Sequence, residues 1–389
     1  TAAAANTEAS AVSAVEDDGA ITVEFNESIN AGDNAANPNG ALTNAEVVVY
    51  VRNAGSGEFT KYNMSGAGPA NVLGAITHAA GDSNVVIPEN AGGWGDLSPA
   101  DEVLVTCGTQ EANLLAALSV LDRDGHAVVV TPTYQSLHSL PAAIGEVTRV
   151  ELAAPDWTLD PDAVADAVRP DTDLVVVNNP NNPTGNYHPQ STIEEVYEIA
   201  ADADAHLLCD EVYRPLAPPD ERVDPVASMG ERGISTCGLS KGWGLPGLRI
   251  GWLAGHESVV DAAWRWKDYT TIAAPAVGQH VAGQALAHEP ELLAENRAHA
   301  NENRAMLDSF VAAHGLDWHS PVGVTGFVSV PEGFESGEAF ALRLVEEGVV
   351  VVPGETFGRP GYVRVGFGVE TATLRAGLDR IGAVVEANG

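Results

Sequence analysis

The chain has 389 residues, of which 54 are acidic and 19 are basic, so that its formal net charge is −35. This charge argues against nucleic acid as a partner, because neutralising phosphates requires a basic surface. It favours a protein from a high-salt cytoplasm, since the Debye length falls to roughly 3 Å at molar salt and screens the self-repulsion; an ordinary acidic protein is the alternative.

Residues 1–100 are rich in Asn, Gly and Ala. Apolar, β-branched runs at residues 21–25 and 46–51 lie between turn-forming stretches, a pattern typical of strands joined by turns. Residues 23–27 and 97–106 resemble parts of an Ig-like β-sandwich module of haloarchaeal surface proteins. We therefore expect an atypical, β-rich amino-terminal segment over residues 1–100, for which the resemblance implies a β-sandwich.

Over residues 101–278, short apolar runs alternate with segments of helical periodicity such as residues 111–121. The apolar runs are at residues 103–106, 127–131, 174–178 and 206–209. Alternation of this kind builds a parallel sheet that is covered by helices on both faces. Residues 101–278 are thus predicted to form a large α/β domain with a mostly parallel sheet.

Residues 279–389 are predicted to form a smaller α+β domain at the carboxyl end of the chain. It begins with a long helical stretch after Gln279. The segments that follow are strand-like at residues 322–330, 349–352 and 362–367 and helix-like at residues 337–347.

The first motif that carries chemistry is CGTQEA at residues 107–112, which follows a predicted strand and opens a predicted helix. The free backbone N–H groups of a helix start, the helix dipole and the Thr109 hydroxyl would all point to one place, where an anion is stabilised. The same residues would also serve as an ordinary helix cap. A phosphate site and a cap therefore remain alternatives for this motif.

The second motif is NNPNNPTG at residues 178–185, which also follows a predicted strand. Its two X-Pro steps favour extended backbone, which would fix the Asn182 amide as a rigid donor at the carboxyl edge of a sheet. A turn that is simply rich in turn-forming residues is the alternative.

The third motif, LLCDEVY at residues 207–213, ends an apolar strand in an acid. Desolvation of the Asp210 carboxylate would be costly unless a cation faces it, and a protonated ring nitrogen is such a cation. Tyr213 lies three residues further on, and its hydroxyl would reach a phenolic oxygen on a ligand ring that carries such a nitrogen. The alternative is that Asp210 caps the next helix.

The fourth motif surrounds Lys241, one of three lysines in the chain, which lies among glycines and apolar residues at positions 235–252. Such a setting lowers the pKa of an amine and makes it nucleophilic towards a carbonyl. Arg249, eight residues later and at the predicted start of a strand, supplies a planar fork that suits a phosphate. Lys241 is therefore the candidate nucleophile of the chain.

From about residue 103 to the carboxyl terminus, these motifs resemble those of the class I/II aminotransferases, which have the aspartate aminotransferase fold (fold type I) of pyridoxal 5'-phosphate (PLP) enzymes. The resemblance implies that Lys241 holds PLP as a Schiff base. It also implies that Asp210 is the partner of the pyridine nitrogen, and that Tyr213 and Asn182 donate to the phenolic oxygen of the cofactor.

The resemblance assigns further residues to the cofactor and the substrate. Tyr134, in TPTY at residues 131–134, would stack on the ring, and Arg364, in VRVGFG at residues 363–368, would grip the substrate α-carboxylate bidentately together with Asn182. The residues implied around the cofactor phosphate are Gly108, Thr109, Gln110, Ser240 and Arg249.

Two features depart from the family pattern. Many relatives have a serine three residues before the lysine, whereas this chain has Gly238, so that the phosphate cradle loses one hydroxyl. The amino-terminal substrate segment of the family, a Tyr-Gly turn followed by a Gly and a Leu-Arg pair, is represented at most by residues 62–68. If a β-module replaces this segment, which normally closes over the substrate, catalysis would be impaired while cofactor binding persists.

The expected activity is that of a PLP-dependent transaminase, which exchanges an amino group between an L-amino acid and a 2-oxo acid. A lyase or cyclising enzyme of the same fold type is the alternative within the family, and a surface or interaction protein with a vestigial PLP domain is the alternative outside it. Arg265 or Lys267 would suit the distal carboxylate of an acidic substrate, or else would belong to a solvated helix face.

The remaining expectations concern location and partners. The three cysteines cannot all be paired and show no CxxC spacing, which favours a reducing compartment. We find no apolar run near the ~18 residues that span a membrane and no signal-like start. We therefore expect a cytoplasmic protein with no membrane or nucleic-acid partner and no metal site, and the family resemblance implies a homodimer.

Overall fold

In a computed structural model, contacts within the chain define two compact units, Thr1–Asn84 and Val85–Gly389. The structure describes three strands of the first unit and residues 101–388 of the second. Within these parts of the chain, none of the helices is both long and apolar enough to cross a membrane. The division at residues 278 and 279 stays a prediction, and so does the division at residue 100.

The described strands of the first unit form one antiparallel sheet. They are β1 (Thr22–Phe25), β2 (Val47–Arg52) and β3 (Phe59–Asn63), and β2 lies in the middle with Thr22 opposite Tyr50 and Val48 opposite Asn63. The two strand-like runs predicted in this segment are therefore strands. A β-sandwich over residues 1–100 stays a prediction, and residues 26–27, 64–68 and 97–100 of the motifs quoted above lie outside the described residues.

The second unit is built on a seven-stranded sheet in the order β4-β10-β9-β8-β7-β5-β6. Only β10 runs antiparallel to its neighbours, so the mostly parallel sheet is confirmed. The strands are β4 (Val103–Thr106), β5 (His126–Thr131), β6 (Glu146–Glu151), β7 (Thr172–Asn178), β8 (His206–Asp210), β9 (Gly233–Gly238) and β10 (Gly251–Gly255).

Helices cover both faces of this sheet, as expected for parallel strands that read as continuous apolar runs. Along β5, Val128 and Val130 pack on one face with Val164 and Ile193, whereas Val129 packs on the other face with Leu115. The helices concerned are α1 (Thr109–Val120), α2 (Gln135–Ile144), α3 (Pro161–Ala167), α4 (Gln190–Asp202) and α5 (Glu257–Lys267).

The carboxy-terminal part has its own three-stranded antiparallel sheet in the order β11-β13-β12. One apolar cluster joins this sheet to the helices around it, with Phe327 belonging to the cluster of the large sheet instead. The elements are α6 (Ala276–Ala287), α7 (Glu289–Ala313), β11 (Thr325–Ser329), α8 (Gly337–Glu346), β12 (Val352–Pro353), β13 (Tyr362–Gly366) and α9 (Thr371–Asn388).

The prediction of a strand at residues 349–352 is wrong except at Val352, where β12 begins. The end of α8 is closed by Gly348, whose φ of 72° lies in the left-handed region, and the Val349 N–H donates to the Leu344 carbonyl at 3.0 Å. This is the hydrogen-bond pattern of a helix end. Because Val349 is used in that turn, Val350 stays exposed and the strand begins only at Val352.

A buried ion pair joins the first turn of α1 to the end of α5. Glu111 Oε2 lies 3.0 Å from Lys267 Nζ, and Glu111 also accepts hydrogen bonds from Thr270, Thr271 and the Cys107 N–H. Burial raises the pKa of Glu111, but these hydrogen bonds outweigh it and lower the pKa to about 2. Lys267 is therefore neither a substrate contact nor part of a solvated helix face, and both expectations for it are wrong.

We expect Glu111→Gln to lower the free energy of unfolding by about 3 to 5 kcal/mol, because it leaves a buried ammonium without a counter-charge. The control is Glu146→Gln, which breaks the exposed pair with Arg169 and should have a much smaller effect. Since the pKa of Glu111 is below that of an unfolded carboxyl, its contribution is complete above pH 4.5 and is lost as the pH falls towards 2. Denaturant unfolding at several pH values measures both effects, and equal losses in the two variants would contradict the assignment.

Candidate active site

Most of the residues singled out from the sequence lie at or just after the carboxyl ends of strands of the large sheet. Because parallel strands share one carboxyl edge, loops that leave these strands meet there. Asp210 is the last residue of β8, and the other residues follow β4, β5, β7 and β9 within two to four positions. These residues are Gly108, Thr109 and Gln110, then Tyr134, Asn182, and Ser240 with Lys241.

The start of α1 is open to an anion. Gly108 precedes the helix with a φ of 81°, and no side chain of the described residues caps the helix. The Thr109 hydroxyl is buried and has no hydrogen-bond partner within the described part of the chain. A buried hydroxyl beside uncapped N–H groups is a place where an anion would satisfy both.

Gly238 is explained by the position of Thr109. A Cβ added at Gly238 would lie 2.8 Å from Thr109 Oγ1 and 3.0 Å from the Ile250 carbonyl oxygen. Gly251 on β10 is equally confined, because a Cβ there would lie 2.6 Å from Thr109 N. The Thr109 hydroxyl of α1 therefore lies next to position 238, where many relatives have a serine hydroxyl.

Arg249 brings a cation to the same place. It has a left-handed backbone (φ 53°, ψ 43°), which costs a non-glycine residue about 1–2 kcal/mol. Its guanidinium donates to the Cys107 carbonyl and the Ser240 hydroxyl, each at 3.4 Å, and to the Pro246 carbonyl at 3.2 Å. No carboxylate of the described residues forms a salt bridge with Arg249. It precedes β10 by two residues, so the prediction that it lies at the start of the strand is wrong.

Gly108 makes room for this guanidinium. A Cβ added at Gly108 would lie within 2.4 Å of Arg249 Nη2 and would have to displace it. Any other residue at position 108 would also have to adopt a positive φ, which disfavours a side chain. The glycine therefore lets the arginine reach the start of α1.

Asp210 is buried at the carboxyl end of β8. Its Oδ2 accepts a hydrogen bond from Asn113 Nδ2 at 2.7 Å, and its Oδ1 accepts one from the Val212 N–H at 3.1 Å. Burial raises the pKa of Asp210 to about 6, although both hydrogen bonds and the nearby Lys241 oppose this. The carboxylate therefore lies where a further cation would stabilise its charged form.

Asn113 was not predicted from the sequence. It lies on α1 four residues after Thr109, which places both on one face of the helix. Its side chain is buried, and its Oδ1 accepts a hydrogen bond from the Thr236 hydroxyl at 2.5 Å. The spacing from Thr109 was the available signal, but a polar residue in a helix is ordinarily assigned to the solvated face.

Lys241 lies near enough to both Arg249 and Asp210 to interact with their charges. The residue is exposed, and its Nζ lies 5.9 Å from the centroid of the Tyr213 ring. Partial removal of water, followed by the charges of Arg364 and Arg249, lowers the pKa of this amine, whereas Asp210 raises it. The shift has the direction expected from the sequence.

Tyr213 is buried beside the lysine. Burial raises the pKa of its phenol to about 12, although the charge of Arg364 and a hydrogen bond with Thr325 lower it. Gly323, with a φ of 116°, packs against the ring, since a Cβ there would lie 3.2 Å from Tyr213 Cδ1. The phenol is therefore protonated at neutral pH and is held by the carboxy-terminal part of the chain.

Asn182 and Arg364 are brought together from separate parts of the chain. The Asn182 N–H donates to Asn178 Oδ1 at 2.7 Å, and Asn182 Oδ1 accepts from Arg364 Nη1 at 3.0 Å. The Arg364 guanidinium also lies 5.4 Å from the centroid of the Phe357 ring. Phe357 was not predicted, because nothing in its local sequence marks it.

The two remaining residues lie at the periphery. Gln110 is exposed in the first turn of α1, one residue after Thr109. Tyr134 is 41% exposed at the start of α2 and close enough to Tyr213 to affect its pKa. Among the described residues, no cluster of three His, Cys, Asp or Glu side chains could hold a metal ion.

This sheet, with an amine, a buried acid and an anion site at one edge, defines an α/β enzyme of the PLP-dependent fold type I class. Residues 93–381 match the family model described as aminotransferase class I and II. The chain therefore belongs to the class I and II aminotransferases, which are PLP-dependent enzymes that act on amino acids and keto acids.

Several characterised proteins are similar to this chain. Capreomycidine synthase of Streptomyces vinaceus is 32% identical over 73% of the chain and 74% of the synthase. The aspartate/prephenate aminotransferase of Thermus thermophilus is 29% identical over 73% of the chain and 76% of that enzyme. A crystal structure of a PLP-dependent aminotransferase from Streptococcus suis superposes with a TM-score of 0.73 at 35% identity and covers 76% of this chain and 79% of its own.

The residues at the sheet edge fit PLP. The Thr109 hydroxyl and the start of α1, which have no side-chain partner in the part of the chain that the structure describes, suit a phosphate dianion together with the Arg249 guanidinium. The buried Asp210 carboxylate forms no salt bridge with the described residues, and a protonated ring nitrogen would supply the cation for one. Lys241 offers an amine of lowered pKa that interacts with the charges of both Arg249 and Asp210.

Proposed function

We propose that Lys241 is the catalytic lysine of a transaminase that exchanges an amino group between an L-amino acid and a 2-oxo acid. The observation that carries this proposal is that three features lie together at one sheet edge: an amine of lowered pKa, a buried carboxylate, and the start of α1 beside Arg249, which has no salt bridge with the described residues. The amine suits an aldehyde, the buried carboxylate suits a cation and the helix start with Arg249 suits an anion, and PLP offers all three groups.

The proposed cofactor contacts divide between three groups of residues. The phosphate is held by the backbone of Gly108 and Gln110, by the hydroxyls of Thr109 and Ser240, and by the Arg249 guanidinium. Asp210 faces the ring nitrogen, and Tyr213 and Asn182 donate to the phenolic oxygen. Tyr134, which is exposed and lies near Tyr213, covers the ring.

When bound, PLP supplies an aldehyde that condenses with an amine and a pyridinium ring that takes up electrons from the bond broken at the substrate Cα. Lys241 Nζ then moves one proton: it removes the proton of the substrate Cα as a general base and releases it as a general acid. The lowered pKa of Lys241 increases the fraction of neutral amine, which is the form that removes a proton. Asp210 holds the proton at the ring nitrogen.

Arg364 is proposed to bind the substrate α-carboxylate together with Asn182. The Asn182 amide already accepts a hydrogen bond from Arg364 Nη1, which leaves the rest of the guanidinium fork for a carboxylate. Phe357 lies under the guanidinium and limits its orientations. The same geometry would recognise any α-amino acid, so it does not distinguish between side chains.

A different reaction on the same cofactor is the second candidate. The relative from Streptomyces vinaceus is named a synthase, not an aminotransferase, at 32% identity. This keeps the lyase or cyclising alternative open for this chain. The alternative of a surface protein with a vestigial PLP domain is disfavoured, because the chain belongs to an enzyme family and retains Lys241, Asp210 and Arg249.

We further propose that the protein is a homodimer of a high-salt cytoplasm. The net charge of −35 supports the salt requirement. The three cysteines form no disulfide, in keeping with a reducing compartment. The proposed domain division is an amino-terminal segment of residues 1–100, a large domain of residues 101–278 and a small domain of residues 279–389.

We expect Lys241→Ala to abolish covalent attachment of PLP while cofactor binding persists, because the phosphate and ring contacts remain. Transamination should fall by at least two to four orders of magnitude, as for loss of a general base. Mass spectrometry after borohydride reduction measures attachment, and single-turnover kinetics measures the rate. A normal rate, or PLP still attached to the chain, would show that another residue carries the chemistry.

We expect Thr109→Ala to weaken PLP binding about tenfold or more, because a hydrogen bond to a charged phosphate is lost. Gly238→Ser alone should also weaken binding, because its Cβ competes with Thr109 for the same space. The double variant Thr109→Ala with Gly238→Ser should recover part of the loss, since it returns a hydroxyl to that space. Equilibrium dissociation constants for PLP test this, and strictly additive losses would contradict it.

A further inference from the structure

Hydrogen bonds connect Asp210, at the end of β8, through Asn113 to the neighbouring strand β9. Asn113 Nδ2 donates to Asp210 Oδ2 at 2.7 Å, and the Thr236 hydroxyl donates to Asn113 Oδ1 at 2.5 Å. All three side chains are buried, with exposed fractions of 4% or less. The chain of hydrogen bonds therefore runs from β9 through α1 to the end of β8, out of contact with water.

The Thr236 hydroxyl stabilises one of the two orientations of the Asn113 amide. A hydroxyl can donate or accept, whereas an amide presents one donating and one accepting end. When Thr236 donates to Asn113 Oδ1, the amide must turn Nδ2 towards Asp210. That orientation favours the ionised carboxylate, because a donor stabilises the charged form of an acid.

We propose that Asn113, oriented by Thr236, is a positioning residue that keeps Asp210 ionised and thereby keeps the ring nitrogen of the bound cofactor protonated. This inference rests on the proposed role of Asp210. Asn113 carries no titratable proton of its own, so it stabilises the carboxylate without competing for the proton of the ring nitrogen.

Other charged groups near Asp210 do not replace this contact. Lys241 lowers the pKa of Asp210 through its charge, but its amine is needed at the substrate. Glu211, the next residue, is buried too, and burial raises its pKa to about 7. Its Oε1 accepts hydrogen bonds from Ser235 and from the Val226 N–H, and it lies 4.0 Å from Arg214.

Ser235 provides a matched control. It precedes Thr236 on β9, and consecutive strand residues point to opposite faces of the sheet. Both hydroxyls are buried and each donates to a side chain. The Ser235 hydroxyl donates to Glu211, whereas the Thr236 hydroxyl donates to Asn113. The Ser235 hydroxyl also accepts a hydrogen bond from the Ala227 N–H, so its removal should perturb β9 at least as much as removal of the Thr236 hydroxyl. Only removal of the Thr236 hydroxyl breaks the chain of hydrogen bonds that ends at Asp210.

The test uses the holoenzyme loaded with PLP that is ¹⁵N-labelled at the ring nitrogen. The ¹⁵N chemical shift reports directly whether this nitrogen is protonated, independently of activity, and it is followed against pH. We expect Asn113→Leu to lower the midpoint of deprotonation by about one pH unit, a tenfold effect. Thr236→Val, which leaves the Asn113 amide in place, should cause a smaller shift in the same direction.

Asp210→Asn and Ser235→Ala complete the experiment. Asp210→Asn should cause the largest shift; if it causes none, the proposed role of Asp210 fails. If Asp210→Asn shifts the midpoint but neither Asn113→Leu nor Thr236→Val does, the role of Asp210 stands and that of Asn113 is overturned. A shift in Ser235→Ala as large as that in Thr236→Val would also overturn it, because the effect would then be a general loosening of β9.

Discussion

The burial of the Asp210 carboxylate at the end of a central strand is the constraint on which the rest of the site depends. An ionised group removed from water is costly unless hydrogen bonds and a counter-charge compensate. Asn113 and the Val212 N–H supply two hydrogen bonds, and Lys241 supplies a nearby charge. The pKa of about 6 means that this compensation is incomplete in the chain alone. A bound cation at the ring position would complete it, so cofactor binding and the stability of this strand end are coupled.

The opposite end of the site depends on close backbone contacts. Gly108, Gly238 and Gly251 each lie where a Cβ would collide with Arg249 or Thr109. These glycines let α1, β9 and β10 approach one another, which brings a helix start, a hydroxyl and a guanidinium to one point. The helix α1 thus contributes a residue to both ends of the site, because Thr109 lies at its start and Asn113, one turn further on, binds Asp210. Glu111, between them, anchors the same turn to Lys267.

The sequence predicts those features that are local in the chain. The parallel sheet, the helix start at Thr109 and the acid at the end of β8 all follow from short motifs. The pairing of Asn113 with Asp210, 97 residues away, and that of Glu111 with Lys267, 156 residues away, depend on the tertiary fold and leave no local pattern. The edge strand β6 is mostly polar and exposed, so it lacks the apolar run that marked its neighbours.

The central claim is that this sheet edge binds PLP and transfers amino groups. Its most direct test is the visible absorption of the protein, purified in molar salt with PLP and freed of excess cofactor, before and after addition of a panel of amino acids. We predict a band of lysine-bound cofactor that converts to the pyridoxamine form with at least one amino acid. Absence of any bound-cofactor band, or a band that no amino acid changes, would contradict the account.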